Sequence, residues 1–159
     1  GREAGTAFAE CLAAVKIDPK MACAWTLLGH YYCMEAKDSE RGKKCYAKAV
    51  ELDPADGEAG EALCGLYAAE GQAGLLLGVC DTAAAASPLA GWAMFRKGLL
   101  LVGAARHAEA CAPLQNALRV SQETSAGWTA LGRAYEGCGR LEPSIKAYER
   151  ALELMAEGH

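Results

Sequence analysis

The chain has 159 residues, of which 52% are hydrophobic and 23% charged, so it can bury a core and is unlike a disordered chain. Its net charge is -4 at pH 7, and its densest basic stretch, residues 37–48, is interleaved with acidic residues. This excludes the clustered positive charge that binding to a nucleic acid backbone needs. Its longest apolar stretch, residues 98–105, is too short to span a bilayer. We therefore expect no direct contact with nucleic acid or membrane.

Helical periodicity predicts nine helices in chain order. A single helix over residues 4–17 comes first, without a partner. Four helix pairs follow, at 21–35 with 40–52, 56–69 with 72–86, 89–103 with 106–120, and 124–137 with 140–155. Proline cannot donate a backbone hydrogen bond, so the Asp53-Pro54 step predicts the end of the helix before it. The first pair carries one extra residue around 37–41, which we place in its inter-helix turn.

The four predicted pairs share one motif with a period of 34 or 35 residues. Alanines at 14, 49, 83, 117 and 151 and prolines at 19, 54 and 88 follow the same period. In its two fullest copies the motif is a tryptophan, then leucine, glycine and tyrosine, at fixed spacing. Its copies are Trp25-x-x-Leu28-Gly29-x-x-Tyr32, Gly60-x-x-Leu63-Cys64-x-x-Tyr67, Met94-x-x-Lys97-Gly98-x-x-Leu101 and Trp128-x-x-Leu131-Gly132-x-x-Tyr135. The small residue predicts close approach of the second helix of each pair.

This period and motif resemble the tetratricopeptide repeat. The resemblance implies an all-α, right-handed α-solenoid of helix-turn-helix repeats, with one isolated second helix and four helix pairs. It implies one domain over 1–159, with a partial repeat at 1–20 and repeats at about 21–55, 56–89, 90–123 and 124–157. The chain is then expected to be a fragment of a longer array. Two departures weaken the third repeat, because Gln122 replaces the terminating proline and Lys97 replaces the leucine.

No sequence motif indicates chemistry. The eight cysteines lie ten or more residues apart without a C-x-x-C pair, which predicts reduced, buried thiols and no zinc site. Phosphate-binding, metalloprotease and nucleophile-elbow motifs are missing from the sequence. His30 lies on a predicted first helix as a lone histidine without a nearby Cys or carboxylate partner, so we expect it to contact a partner protein or to have a structural role. We predict a non-enzyme with no catalytic residue, no cofactor and no metal.

The first helices of such an array line a concave groove that binds other proteins. By the register of the motif, the predicted partner-binding residues are Thr26, His30, Cys33, Glu58, Glu61, Trp92, Phe95, Arg96, Leu99, Thr129, Arg133 and Glu136. Trp92 and Phe95 are the predicted anchors, since aromatics supply much of the affinity at interfaces. Packing within the array would bury an aromatic at the same spacing. The carboxylate clamp of tetratricopeptide co-chaperones is matched by Arg96 alone, which disfavours an acidic chaperone tail as ligand.

Particular stretches resemble the scaffold subunit of the superkiller complex, from about residue 28 to 154. They include Leu28-Gly29-His30-Tyr31-Tyr32, Cys45-Tyr46-x-Lys48-Ala49 and Trp92-Ala93-x-Phe95-Arg96-Lys97-Gly98-Leu99. This resemblance implies a non-catalytic scaffold that gathers helicase and β-propeller subunits and assists exosome-mediated RNA decay in the cytoplasm, with the nucleus as a second location. Two alternatives remain open. One is a generic tetratricopeptide adaptor, such as a co-chaperone or transport-complex subunit, and the other is an enzyme regulated by an attached repeat array.

Overall fold

The computed structural model describes residues 2–158, and this part of the chain folds into nine α-helices without a strand. The helices are α1 (Arg2–Ile17), α2 (Ala22–Met34), α3 (Ser39–Leu52), α4 (Gly57–Ala69), α5 (Ala73–Ala86), α6 (Gly91–Gly103), α7 (His107–Val120), α8 (Ser125–Gly137) and α9 (Leu141–Ala156). The all-α prediction is confirmed, and every predicted boundary lies within two residues of the observed one. No helix of this part of the chain is long and apolar enough to cross a membrane.

The turns inside the four helix pairs share one backbone conformation. Each contains one residue with positive φ, two positions before the second helix begins, and these residues are 34 apart: Lys37 (φ 54), Gly71 (φ 69), Ala105 (φ 59) and Gly139 (φ 74). The turn after α2 covers residues 35–38, whereas the other three turns cover three residues each. The extra residue of the first pair therefore lies in its turn, as predicted. Lys37 and Ala105 occupy a region that side chains with a Cβ disfavour.

Two compact units divide the chain, Gly1–Val79 and Cys80–His159, and we call them unit 1 and unit 2. In unit 1, α2 packs against α1, α3 and α4, and α3 packs against α4. In unit 2, α6 packs against α7 and α8, and α8 packs against α7 and α9. The core of unit 2 is formed by Leu101, Ala110, Leu114, Leu118, Ala130, Leu131 and Ala134.

Close contact between a first-helix glycine and a second-helix side chain holds each of three pairs together. A Cβ added at Gly29 would lie 2.5 Å from Cε1 of Tyr46, and one at Gly132 would lie 2.8 Å from Cε1 of Tyr148. At Gly98 it would lie 2.4 Å from Cδ2 of Leu114. Any larger residue would push the helices apart, which is why the motif requires a small residue here. This confirms the close helix approach predicted at these glycines.

The third repeat accommodates both departures from the motif. Lys97 keeps its charge in solvent and donates to Oδ1 of Asp81 at 2.7 Å, with 30% of its side chain exposed. Without a proline, α7 still ends at Val120, and Ser121 caps it with a backbone hydrogen bond to the Ala117 carbonyl.

Candidate functional site

In unit 1, His30 joins three helices through hydrogen bonds. Its Nδ1 lies 2.7 Å from the Tyr46 hydroxyl on α3, and its Nε2 lies 3.0 Å from Oε1 of Glu58 on α4. Because an ionised carboxylate can only accept, Nε2 donates to Glu58, and in the neutral ring Nδ1 then accepts from the Tyr46 hydroxyl. The sequence prediction that His30 has no carboxylate partner is therefore wrong, because the partner is 28 residues away and belongs to the next repeat.

The buried end of this network is fixed and the other end faces solvent. Burial raises the pKa of Tyr46 well above its ordinary value, and the neighbouring Cys33 thiol raises this pKa further, so the hydroxyl stays protonated and able to donate. By contrast, 34% of the His30 side chain and 62% of the Glu58 side chain are exposed. His30 and Glu58 are thus polar groups in fixed positions at the surface of unit 1, and a partner protein can reach both.

The arrangement has no group suited to covalent catalysis. A tyrosine with a raised pKa is a weak nucleophile at neutral pH, and His30 already bonds through both ring nitrogens. Within residues 2–158, no group of three or more His, Cys, Asp or Glu side chains could hold a metal ion. The network is suited to recognition and to fixing the positions of the three helices.

Two of the predicted groove residues in unit 1 point into the helix packing. Thr26 is only 3% exposed, and its hydroxyl donates to the Ala22 carbonyl one turn earlier on α2. This corrects the prediction that Thr26 contacts a partner, since α1, α3 and α4 all pack around α2. Cys33 is half-buried, and its sulfur lies 2.2 Å from where a Cβ on Gly42 would be. Cys33 therefore fills space between α2 and α3. Glu61 lies half-buried on α4.

In unit 2, α8 presents a second polar cluster. The Tyr148 hydroxyl on α9 donates to Oε2 of Glu136 at 2.8 Å. Burial raises the pKa of Tyr148, the hydrogen bond to Glu136 raises it further, and Arg133 acts in the opposite direction. Arg133 and Glu136 are both exposed, whereas Thr129 is half-buried and donates to the Ser125 carbonyl. Arg133 and Glu136 thus form a charged pair of surface positions one turn apart.

The predicted aromatic anchors lie on α6 and differ in their surroundings. Phe95 and Leu99 are half-buried and pack against the core of unit 2, so part of each side chain stabilises the fold. Each keeps part of its surface accessible, so contact of Phe95 and Leu99 with a partner stays a prediction beside their packing within the unit. Trp92 and Arg96 are half-buried on the same helix.

Sequence reasoning missed the two tyrosine hydroxyls as functional groups. Tyr46 and Tyr148 occupy the second-helix position that packs on the first-helix glycine. The motif therefore predicts a large side chain at this position but gives no role to the tyrosine hydroxyl. A tyrosine rather than a leucine at this position was the available signal, because a buried hydroxyl needs a hydrogen-bond partner.

Comparison with known proteins identifies the repeat. A family profile described as tetratricopeptide repeat matches residues 24–56 and 125–155. Tetratricopeptide repeats are thus present at residues 24–56 and 125–155. Solved structures share the fold: MamA superposes with a TM-score of 0.69 at 20% identity over 95% of this chain and 88% of that one. YrrB, described as a tetratricopeptide protein with an unusual peptide-binding site, superposes with a TM-score of 0.64 at 18% identity over 96% of this chain and 78% of that one. The predicted tetratricopeptide solenoid class is therefore confirmed.

Curated relatives match most of this repeat segment. It is 37% identical over 155 residues to Tetratricopeptide repeat protein 37 of Xenopus laevis, covering 96% of this chain and 10% of that protein. It is 35% identical over 148 residues to human Superkiller complex protein 3, covering 92% of this chain and 10% of that protein. Superkiller protein 3 of Saccharomyces cerevisiae is 31% identical over 156 residues, with 93% and 11% covered. The chain resembles these proteins and spans about a tenth of their length.

Proposed function

We propose that this tetratricopeptide segment is part of a non-catalytic scaffold in a superkiller-type complex that assists exosome-mediated RNA decay in the cytoplasm. The observation that carries the proposal is the identity of 35% with human Superkiller complex protein 3 over 92% of this chain. Yeast Superkiller protein 3 and frog Tetratricopeptide repeat protein 37 match over similar shares of the chain. The proposed partners are protein subunits, a helicase and a β-propeller, rather than RNA itself.

The proposed contact surface consists of the polar side chains that the first helices expose. In unit 1 these are His30 and Glu58, which the hydrogen bonds to Tyr46 and to each other hold in place. In unit 2 they are Arg133 and Glu136, the latter held by Tyr148. Polar groups in fixed positions favour recognition because less side-chain entropy is lost when a partner binds.

Helix α9 supports the further proposal that the repeats belong to a longer array. Its exposed face carries Leu141, Ile145, Leu152 and Met155, each more than half exposed. In α7, the positions equivalent to the first three are His107, Cys111 and Leu118. Their side chains meet α8 at Gly137, in the core of unit 2 and at Gly127. A further first helix packed on α9 would bury its apolar face in the same way.

Affinity purification of the tagged protein from its native cells tests the assignment, with bound proteins quantified by mass spectrometry. We expect a helicase and a β-propeller protein in stoichiometric amounts with the bait. The variant Arg133→Glu should lose at least one of them, because it reverses a charge on the proposed surface. Lys146→Glu is the matched control, since it makes the same charge change on an exposed second-helix position. Recovery of chaperones or transport subunits in place of both proteins would favour the generic adaptor.

A further inference from the structure

A separate cleft of about 420 Å³ lies between α7 and α8 of unit 2. Its lining residues are Gln115, Leu118, Arg119, Gln122, Trp128, Leu131 and Tyr135. Leu118 and Leu131 are 5% and 4% exposed and form an apolar floor, while Trp128 and Tyr135 are half-buried and retain accessible ring surface. The volume is in the range of pockets that hold a small ligand or a few side chains.

Hydrogen bonds fix the aromatic walls of this cleft. The Trp128 indole Nε1 donates to the Gln122 carbonyl at 2.9 Å, and the Gln115 amide donates to the Tyr135 hydroxyl at 2.6 Å. Both polar atoms of the rings are therefore engaged with the protein. The Arg140 guanidinium lies 5.0 Å from the centroid of the Tyr135 ring, so the accessible face of Trp128 and the uncovered part of Tyr135 remain to receive a ligand. Gln122 occupies the position at which the repeat usually has its terminating proline.

The cleft lies on the opposite face of α8 from the proposed scaffold surface. Successive residues of an α-helix are rotated by about 100°, so Leu131 in the cleft and Arg133 on the other surface point about 160° apart. Trp128, Leu131 and Tyr135 follow the spacing of one helix face. A ligand in the cleft would therefore leave Arg133 and Glu136 free.

Charge restricts what the cleft can bind. In the part of the chain that the structure describes, Arg119 is the charged member of the lining, and it forms no ion pair with a carboxylate. Its guanidinium donates to the neutral side-chain oxygen of Asn116 at 2.9 Å. A guanidinium without an acidic partner favours a carboxylate and disfavours a cation, even beside two aromatic rings that would otherwise attract one.

We propose that this cleft binds an extended segment of another protein through an aromatic side chain followed directly by an aspartate or glutamate. The aromatic ring would pack on Trp128 and Tyr135 above Leu118 and Leu131, and the carboxylate would accept hydrogen bonds from Arg119. The site rests on observations independent of the superkiller assignment, and it adds a second binding face to the segment.

Four N-acetylated dipeptide amides test this site on the ¹⁵N-labelled chain: Phe-Asp, Phe-Asn, Phe-Lys and Gly-Asp. The indole N–H signals of the three tryptophans report the location of binding, and Trp128→Phe assigns the one in the cleft. We expect Phe-Asp to shift the Trp128 signal with a Kd in the millimolar range. Phe-Asn should bind about 2- to 5-fold more weakly, as expected for loss of an exposed ion pair, and Phe-Lys and Gly-Asp more weakly still.

Substitutions of Arg119 on α7 and of Arg133 on α8 complete the test. Arg119→Gln should weaken Phe-Asp binding to the level of Phe-Asn, Arg119→Lys should retain most of it, and Arg133→Gln should change nothing. The melting temperature of each variant checks that it folds. The proposal is overturned if no peptide shifts the Trp128 signal, if Phe-Lys binds as well as Phe-Asp, if Arg119→Gln binds Phe-Asp unchanged, or if another tryptophan responds instead.

Discussion

The first and fourth complete repeats use the same packing contact and connect it to different surface groups. In both, a second-helix tyrosine packs closely against a first-helix glycine, Tyr46 on Gly29 and Tyr148 on Gly132. The Tyr46 hydroxyl continues through His30 to Glu58, which belongs to the next helix pair. The Tyr148 hydroxyl donates to Glu136, on the first helix of its own pair.

The packing contact is common to the two repeats, whereas the surface groups bonded to the tyrosine hydroxyl differ between them. The contact between ring and glycine sets the distance between the helices, so it recurs wherever the period recurs. The group that accepts from the hydroxyl lies at the solvent edge, where packing does not dictate its identity. In the first repeat the network also links α2 and α3 to α4, so we expect its loss to cost more than the equivalent loss in the fourth.

Alanine at the two glycines should give the largest effect. We expect Gly29→Ala to destabilise the chain by about 2 kcal/mol and Gly132→Ala by about 1 kcal/mol, because each new methyl group would overlap a tyrosine ring that the surrounding helices confine. Urea unfolding followed by circular dichroism measures both. Gly65→Ala is the control, since a Cβ there meets nothing within 4 Å and alanine is the better helix former, so a gain of about 0.5–1 kcal/mol is expected. Neutral results at both glycines would contradict the packing account.

Removal of each tyrosine hydroxyl should lower the free energy of unfolding by a different amount in the two repeats. We expect Tyr46→Phe to cost about 1.5 kcal/mol, because it leaves a partly buried His30 nitrogen without its donor, and Tyr148→Phe to cost about 0.5 kcal/mol, because water can reach the exposed Glu136. Equal costs in urea unfolding would show that the connection to Glu58 adds no stability. A double-mutant cycle of Tyr46→Phe with His30→Ala then assigns the coupling to this pair.

Alkaline pH should destabilise unit 1 through the same tyrosine. Burial raises the pKa of Tyr46, whereas in the unfolded chain it titrates near the ordinary value of about 10. Above that pH the unfolded state loses a proton that the folded state keeps, so this contribution is intact below about pH 10 and falls as the pH rises further. We expect a loss of about 1 kcal/mol between pH 9 and pH 11 that is missing in Tyr46→Phe. Identical pH profiles for the two proteins would contradict this.

The last comparison concerns the turns of the third and fourth repeats, where the expected effects are about 1 kcal/mol or less. Ala105 and Gly139 both have positive φ at the same place in the repeat. Glycine adopts this conformation without a Cβ clash, so Ala105→Gly should stabilise by about 0.5 kcal/mol, and Gly139→Ala should destabilise by about 1 kcal/mol. Thermal melts of the two variants measure opposite shifts. A lower melting temperature for Ala105→Gly would mean that the positive φ of Ala105 does not destabilise the folded chain.

The repeat period predicted the helices and the contacts of Gly29, Gly98 and Gly132, because these depend on local spacing and on size. It could not predict that His30 meets Glu58, since that distance depends on how one helix pair is rotated against the next. The burial of Thr26 escaped prediction for the same reason. Phe95 stayed ambiguous because a core residue and a binding residue have the same helical spacing.

Carboxyl-group footprinting of the purified native complex, compared with the free protein, tests most directly whether the first-helix faces bind the partner subunits. The reagent labels exposed carboxylates, and mass spectrometry measures the extent at each site. The account predicts that Glu58 and Glu136 become protected in the complex, while Glu149 on α9 is labelled equally in both states. Unchanged labelling of Glu58 and Glu136, with protection confined to second helices, would contradict it.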